Sequence, residues 1–338
     1  MNCCNKIVNA VSIFAMHRLA FLLLVATGFA HGLTPHVPPD EAARHVLKAP
    51  DAKYPELAAQ AQIQGNVILE IRVDDSGAVS VTRLVQGHPM LAPAAITGVN
   101  QWRYRPFEVN GKPTAVKTFV MVTFGRPFNH DKEDHAELVL QDDFWTSADA
   151  AEEAVSAGDF PRAEEKLKHD GDLVSADAGT RHIQERWQWM TTMGQLRMAQ
   201  RKYEEAERYY KNALSLREKE GDKDSPDVGA SLGNLAALFA DEKNFDASQD
   251  YASRSLAIFQ KDFKKTSSAN PGAKQVYGRA AATESWLLVK LAKDRGDTSN
   301  IEKRCAALAE FQSFLNGRDR QSADAACPVL NSTPEAKP

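Results

Sequence analysis

The side chains that could do chemistry are few and scattered. Two histidines stand among carboxylates in Asn129-His130-Asp131-Lys132-Glu133-Asp134-His135. Histidine and carboxylate both ligate metals, but a metal site needs its ligands held at fixed geometry. Here the surrounding stretch is polar and aperiodic, so it reads as a solvated linker carrying two surface histidines. His88 lies between Gly87 and Pro89 and reads as a turn residue. No zinc-type histidine motif, glycine-rich phosphate loop or nucleophile elbow occurs in the chain. Carboxylates abound, yet none are paired in a setting that suggests acid–base work. The expectation is a non-enzyme with no catalytic residue, no cofactor and no metal.

The remaining reactive groups are thiols. Cys3 and Cys4 precede an apolar run at residues 19–30, LAFLLLVATGFA, with His17 and Arg18 just before it. Twelve apolar residues suit a signal-peptide core and fall short of a membrane span. Gly28 and Ala30 stand at the small-residue positions of a cleavage site before His31. The reading is export with cleavage, hence a periplasmic protein. The alternative is an uncleaved anchor over residues 7–30, facing the periplasm, which would place His17 and Arg18 mid-membrane at a cost of several kcal/mol. The mature chain keeps Cys305 and Cys327. Two readings stand for them: a disulfide, contributing roughly 3 kcal/mol in an oxidising compartment, or a buried thiol at Cys305 and a free one at Cys327.

What must position any functional surface is a pair of unlike domains. At 338 residues, with 25% charged residues and a net charge of -4, the chain has room for two or three ordinary globular domains and lacks the basic balance of a nucleic-acid binder. Residues 31–48, with Pro35, Pro38 and Pro39, read as a linker that docks loosely, if at all. Tyr54-Pro55 opens a short helix. Val67, Leu69, Ile71 and Val73 alternate with Glu70 and Arg72, the mark of a half-buried strand. Asp74-Asp75-Ser76-Gly77 reads as a hairpin loop with glycine at a positive-φ position. A partner strand returns over residues 79–86, and a helix with Leu91, Ala94, Ala95, Ile96 and Val99 on one side follows. Residues 114–124 form the last long strand. The sum is one antiparallel sheet with helices on one side.

Tyr54-Pro55, Gly65 and the elbow Trp102-Arg103-Tyr104-Arg105-Pro106 together resemble the C-terminal domain of TonB-family proteins. The resemblance covers residues 49–126. It implies a small module that binds other proteins, with Trp102 and Tyr104 as structural markers. It also implies that an extended peptide adds to the exposed edge of the last strand, for which Val116, Thr118, Val120, Val122 and Phe124 are the candidates. The alternative is that this edge pairs with a second copy or lies under the following linker.

After a polar linker at 127–143 the composition turns to alanine, glutamate, lysine and leucine. Tyr203, Ala206, Tyr210, Ala213 and Leu214 are echoed by Phe160, Ala163 and Leu167 upstream and by Phe245, Ser248, Ala252 and Leu256 downstream. The period is about forty-two residues, within the range of helical solenoids. A degenerate fourth copy runs from Leu288 through Gly296 and Ile301 to Leu308. This resembles the tetratricopeptide repeat and implies stacked helical hairpins over residues 144–325, with a concave face for a partner. Trp187, Trp189 and Trp286 read as core. Residues 261–273 read as a flexible loop, and residues 326–338 as a disordered tail.

The fold class expected is α+β: a small TonB-like antiparallel sheet with helices, then an all-α helical hairpin array. The function expected is an exported adaptor for protein or peptide partners in the cell envelope, without nucleic acid, and touching membrane only through an uncleaved leader. The alternative is an energy-transducing subunit for outer-membrane transport. That job requires a retained membrane helix, a long proline-rich spacer and a terminal binding domain, and this chain departs from all three.

Overall fold

A computed structural model of the chain describes residues 34–125, 132–175, 182–220, 222–266 and 271–327. The leader at 1–30 and most of the expected tail lie outside them. Two compact units divide the described residues: one takes those up to 153 together with 164–185, the other 154–163 and those from 186 onward.

The first unit opens with α1 (Pro39–Ala43) and β1 (Val46–Lys48), then α2 (Glu56–Gln60), β2 (Gly65–Val73), β3 (Val79–Gln86) and α3 (Ala92–Val99). Short strands β4 (Arg103–Tyr104), β5 (Glu108–Val109) and β6 (Lys112–Pro113) lead to the long β7 (Val116–Phe124). The main sheet is antiparallel in the order β3-β2-β7. Its alternating apolar residues do what period two requires. Val67, Leu69, Ile71 and Val73 of β2 and Val116, Val120, Val122 and Phe124 of β7 point to one face, where they pack with Ala58, Leu91, Ala95 and Val99.

The aromatic elbow is welded to the hairpin loop. Tyr104 N–H donates to the Gly77 carbonyl at 2.9 Å, and a Cβ at Gly77 would overlap the carbonyl of Tyr104. Gly77 has φ +83°, so glycine answers both the turn and the close approach. Asp74 fastens the same loop, its Oδ1 accepting from the N–H of Ser76 at 2.9 Å and of Ala78 at 2.8 Å. Tyr104 is buried and Trp102 half-buried against the core, its indole N–H donating to the Pro50 carbonyl at 3.2 Å. Both are packing residues.

Two expected linkers are corrected. The stretch 31–48 is built into the domain from Pro35 onward. Residues 35–37 pair with β7 at Lys117, and β1 pairs with β4 through Val46 and Tyr104. The physical reason is that prolines interrupt a ladder without preventing their neighbours from joining it. The stretch 127–143 becomes helix at α4 (Lys132–Ala157). Its polar residues find partners on the second face of the sheet, which a reading of polarity alone takes for solvent. Asp134, Asp142, Trp145 and Asp149 recur at helical spacing and meet Asn66, His36, Arg83 and Lys117. The sheet therefore has helices on both faces. Helix α5 (Phe160–Ser175) follows.

In the second unit α6 (Ile183–Ala199), α7 (Tyr203–Glu220), α8 (Pro226–Asp241), α9 (Phe245–Lys265), α10 (Pro271–Asp294), α11 (Thr298–Ala309) and α12 (Gly317–Ala326) follow in turn. Each hairpin bends at one residue in the left-handed region: Gly158, Arg201, Lys243 and Gly296, with φ between 61° and 75°. The next helix is then capped by Asp159, Asn244 or Asp297, whose carboxylate or amide oxygen accepts a backbone N–H. The same bend and cap recur at Gly296 and Asp297, at a longer spacing than between the earlier bends. Small residues let helices cross closely. A Cβ at Gly194 would come within 2.5 Å of the Tyr210 ring, and buried Ser248 donates to the Ala236 carbonyl at 2.8 Å. Much of the loop expected at 261–273 is helix, since α9 runs to Lys265 and α10 starts at Pro271. Trp286 is buried, whereas Trp187 and Trp189 are only half-buried.

Candidate peptide-binding edge

The candidate surface is the outer side of β7, an end strand of the three-stranded sheet. Backbone groups along a strand point alternately left and right. The N–H of Lys117 donates to the Pro35 carbonyl and its C=O accepts from the Val37 N–H, both at 2.9 Å. Lys117 thus turns both groups away from β2. By alternation so do Phe119, Met121 and Thr123. The even positions turn theirs towards β2, where Val116 pairs with Val73, Thr118 with Ile71, Val120 with Leu69, Val122 with Val67 and Phe124 with Gly65.

This corrects the choice of residues. Val116, Thr118, Val120, Val122 and Phe124 are all buried, and their backbone is committed to β2. They build the strand and cannot offer its edge. The groups that can pair outward belong to Phe119, Met121 and Thr123. Among the described residues no backbone partner meets these three on that side. The same period-two pattern that placed the apolar side chains inward places the intervening backbone groups outward, so the signal was present in the sequence.

The second face stiffens this edge. Glu70 is buried beneath α4, and Lys117 Nζ lies 3.3 Å from its Oε1. Arg83 Nη2 lies 2.9 Å from Glu70 Oε2, close enough for an ion pair though not aligned as a hydrogen bond. Thr82 donates its hydroxyl to Glu70 Oε1 at 2.9 Å. Asp149 reaches both cations, at 3.2 Å to Arg83 and 3.7 Å to Lys117, and the guanidinium of Arg83 sits 4.4 Å from the ring centre of Trp145. A buried carboxylate with several charged and hydroxyl partners tolerates desolvation that a lone one would not. At the far end Thr123 donates to Asn66 Oδ1 at 2.9 Å, and Asn66 Nδ2 donates to Asp134 at 2.7 Å.

Other titratable groups lie apart from the edge. Asp170 on α5 is buried, which pushes its carboxyl up to about 6, with the nearby Ser147 hydroxyl opposing. His135 lies 3.8 Å from Asp40, His169 3.1 Å from Asp143, and the His88 ring accepts from the Met90 N–H within its turn. His130 lies outside the described residues. Among the described residues no group of three or more histidine, cysteine, aspartate or glutamate side chains could hold a metal ion. No helix among them is long and apolar enough to cross a membrane. Cys305 and Cys327 are joined by a disulfide with Cα atoms 5.4 Å apart, tying α11 to the end of α12.

Comparison with known proteins meets this geometry. The family described as the C-terminal domain of Gram-negative bacterial TonB protein matches residues 50–125, and the tetratricopeptide repeat family matches residues 188–261. No curated protein matches the chain. Among solved structures, BtubC (BKLC) from P. vanneervenii is similar over 62% of this chain and 87% of that one, at 16% identity and a TM-score of 0.36, a likeness too loose to bear on function. Both matched families are non-catalytic interaction domains, and the first occurs in envelope proteins. The chain thus joins a TonB C-terminal domain at residues 50–125 to a tetratricopeptide repeat at residues 188–261.

Proposed function

We propose that the protein is an exported, non-catalytic adaptor of the cell envelope. Its TonB-like domain takes an extended peptide as an added strand on the outer side of β7, and its helical array holds a second protein partner. The observation that carries this reading is the row of outward N–H and C=O groups at Phe119, Met121 and Thr123. Backbone groups in such a row supply affinity for an extended chain with little dependence on its sequence. The reading of export is supported by the apolar leader and by the Cys305–Cys327 disulfide, which persists in an oxidising compartment.

The test uses a short fluorescein-labelled peptide that alternates valine with threonine and lysine and contains no proline. Met121→Pro removes one outward N–H without touching the β2 ladder, because proline is tolerated on an end strand where the N–H makes no ladder bond. Wild type binds the probe and Met121→Pro, folded by circular dichroism, binds it several-fold more weakly. Equal binding by the two proteins would remove the strand-addition reading.

A further inference from the structure

Part of the β7 edge is already occupied. Residues 35–37 lie parallel to β7 and take both backbone groups of Lys117. Proline limits this occupant on either side. Pro35 has only a carbonyl to give, and Pro39 lacks the N–H that would meet the Phe119 carbonyl, so past Lys117 the ladder cannot continue in both directions of bonding. The chain turns instead into α1, which packs beside β7. Residues 35–37 have few side-chain anchors of their own. His36 Nε2 lies 2.8 Å from Asp142 of α4, an ion pair when the imidazole is protonated, and the His36 ring stands 6.0 Å from that of Phe119. His36 and Val37 are half-buried, with Val37 against the core, whereas in α1 Pro39 and Ala42 are buried and the acidic Asp40 and Glu41 are exposed. A proline-free peptide on the same edge would pair with Lys117 and with the three residues beyond it.

We propose that residues 35–37 are an internal occupant of the β7 edge, a strap that an extended peptide must displace before it can pair along the whole strand. This rests on the strand-addition reading above. The strap makes two backbone bonds in the parallel sense, which is the weaker geometry per residue, where a full-length strand could make about four times as many. It keeps the edge from pairing indiscriminately, the hazard of any exposed strand. It also sets a threshold, because the apparent affinity of any ligand is lowered by the fraction of molecules whose edge is open.

Val37→Pro removes the N–H that bonds to the Lys117 carbonyl and leaves the rest of the strap in place. Amide hydrogen exchange in the full chain reads whether the strap is released, since the Lys117 N–H then loses its acceptor. Binding of the labelled valine–threonine–lysine probe reads whether the edge has been freed. The proposal expects faster exchange at Lys117 and binding of the probe about tenfold tighter than wild type. If the probe binds wild type and Val37→Pro equally well, the edge accepts strands but the strap does not obstruct it, and the proposal fails alone. If Lys117 exchanges faster yet neither protein binds the probe, the strand-addition reading fails and takes the strap's role with it. If Val37→Pro does not fold, or Lys117 stays protected, residues 35–37 are fixed structure and the proposal is overturned.

Discussion

The carboxyl of Glu284 fills the space that a side chain would occupy at Gly233: a Cβ built there would overlap Oε1 of Glu284. Glu284 is buried between α8, α9 and α10, and burial pushes its carboxyl up to about 8, with Ser255 opposing weakly. Its raised value makes the folded state hold a proton that the unfolded state releases above about 4.5. Stability of the array therefore falls as pH rises from about 4.5 to about 8, by an amount on the order of a few kcal/mol, and levels off above that. Glu284→Gln should flatten this slope in urea titrations taken across the range. Gly233→Ala should lower stability by about 1–3 kcal/mol at any pH, because the carboxyl has to move aside.

Arg201 and Lys243 adopt the left-handed conformation that Gly158 and Gly296 adopt at the equivalent bends. A residue with a Cβ is strained there by about 1 kcal/mol or more. Arg201→Gly and Lys243→Gly should each raise stability by up to about 1 kcal/mol, read as a shift of the melting temperature, while Gly158→Ala should lower it by a similar amount.

The disulfide closes the last helical pair. Replacing Cys305 and Cys327 together by serine should cost about 3 kcal/mol in denaturant unfolding. The loss should appear equally in wild type treated with reductant, and the β2–β7 amides should keep their protection in both.

The charge cluster under α4 is the link between the sheet and that helix. Glu70→Ala leaves Arg83 and Lys117 facing only Asp149 and should destabilise the domain by about 2 kcal/mol. Asp149→Ala should cost less, since Asp149 is half exposed and Glu70 still holds both cations. Thermal melts of the two variants order them.

The leader reading makes a separate prediction. The protein recovered from the envelope should begin at His31, read by intact-mass and N-terminal analysis. A chain that keeps residues 1–30 and sediments with membranes would instead favour the energy-transducing alternative.

Much of this fold was legible because its periods are regular. β3 ends where alternation and Gly87 end it, and the helical bends fall just before Phe160, Tyr203 and Phe245. The site was legible only to the level of the strand. Val116 through Phe124 drew notice as apolar, and apolarity marks the residues that face the core, whereas the edge is offered by the backbone of their neighbours. The strap escaped notice because prolines at 35, 38 and 39 read as linker, and a pairing confined to Lys117 leaves no periodic trace. Helix α4 escaped because Asp134, Asp142 and Asp149 are polar residues facing polar partners on a sheet, a complementarity visible only once the two are brought together.

The most direct measurement takes peptides recovered from a random display selection on the full chain and maps by amide exchange where they settle. Strand addition predicts slowed exchange at Phe119, Met121 and Thr123, with Thr118, Val120 and Val122 unchanged because β2 already protects them. Protection that falls on α2 or α3, with those three amides unmoved by every selected peptide, would contradict it.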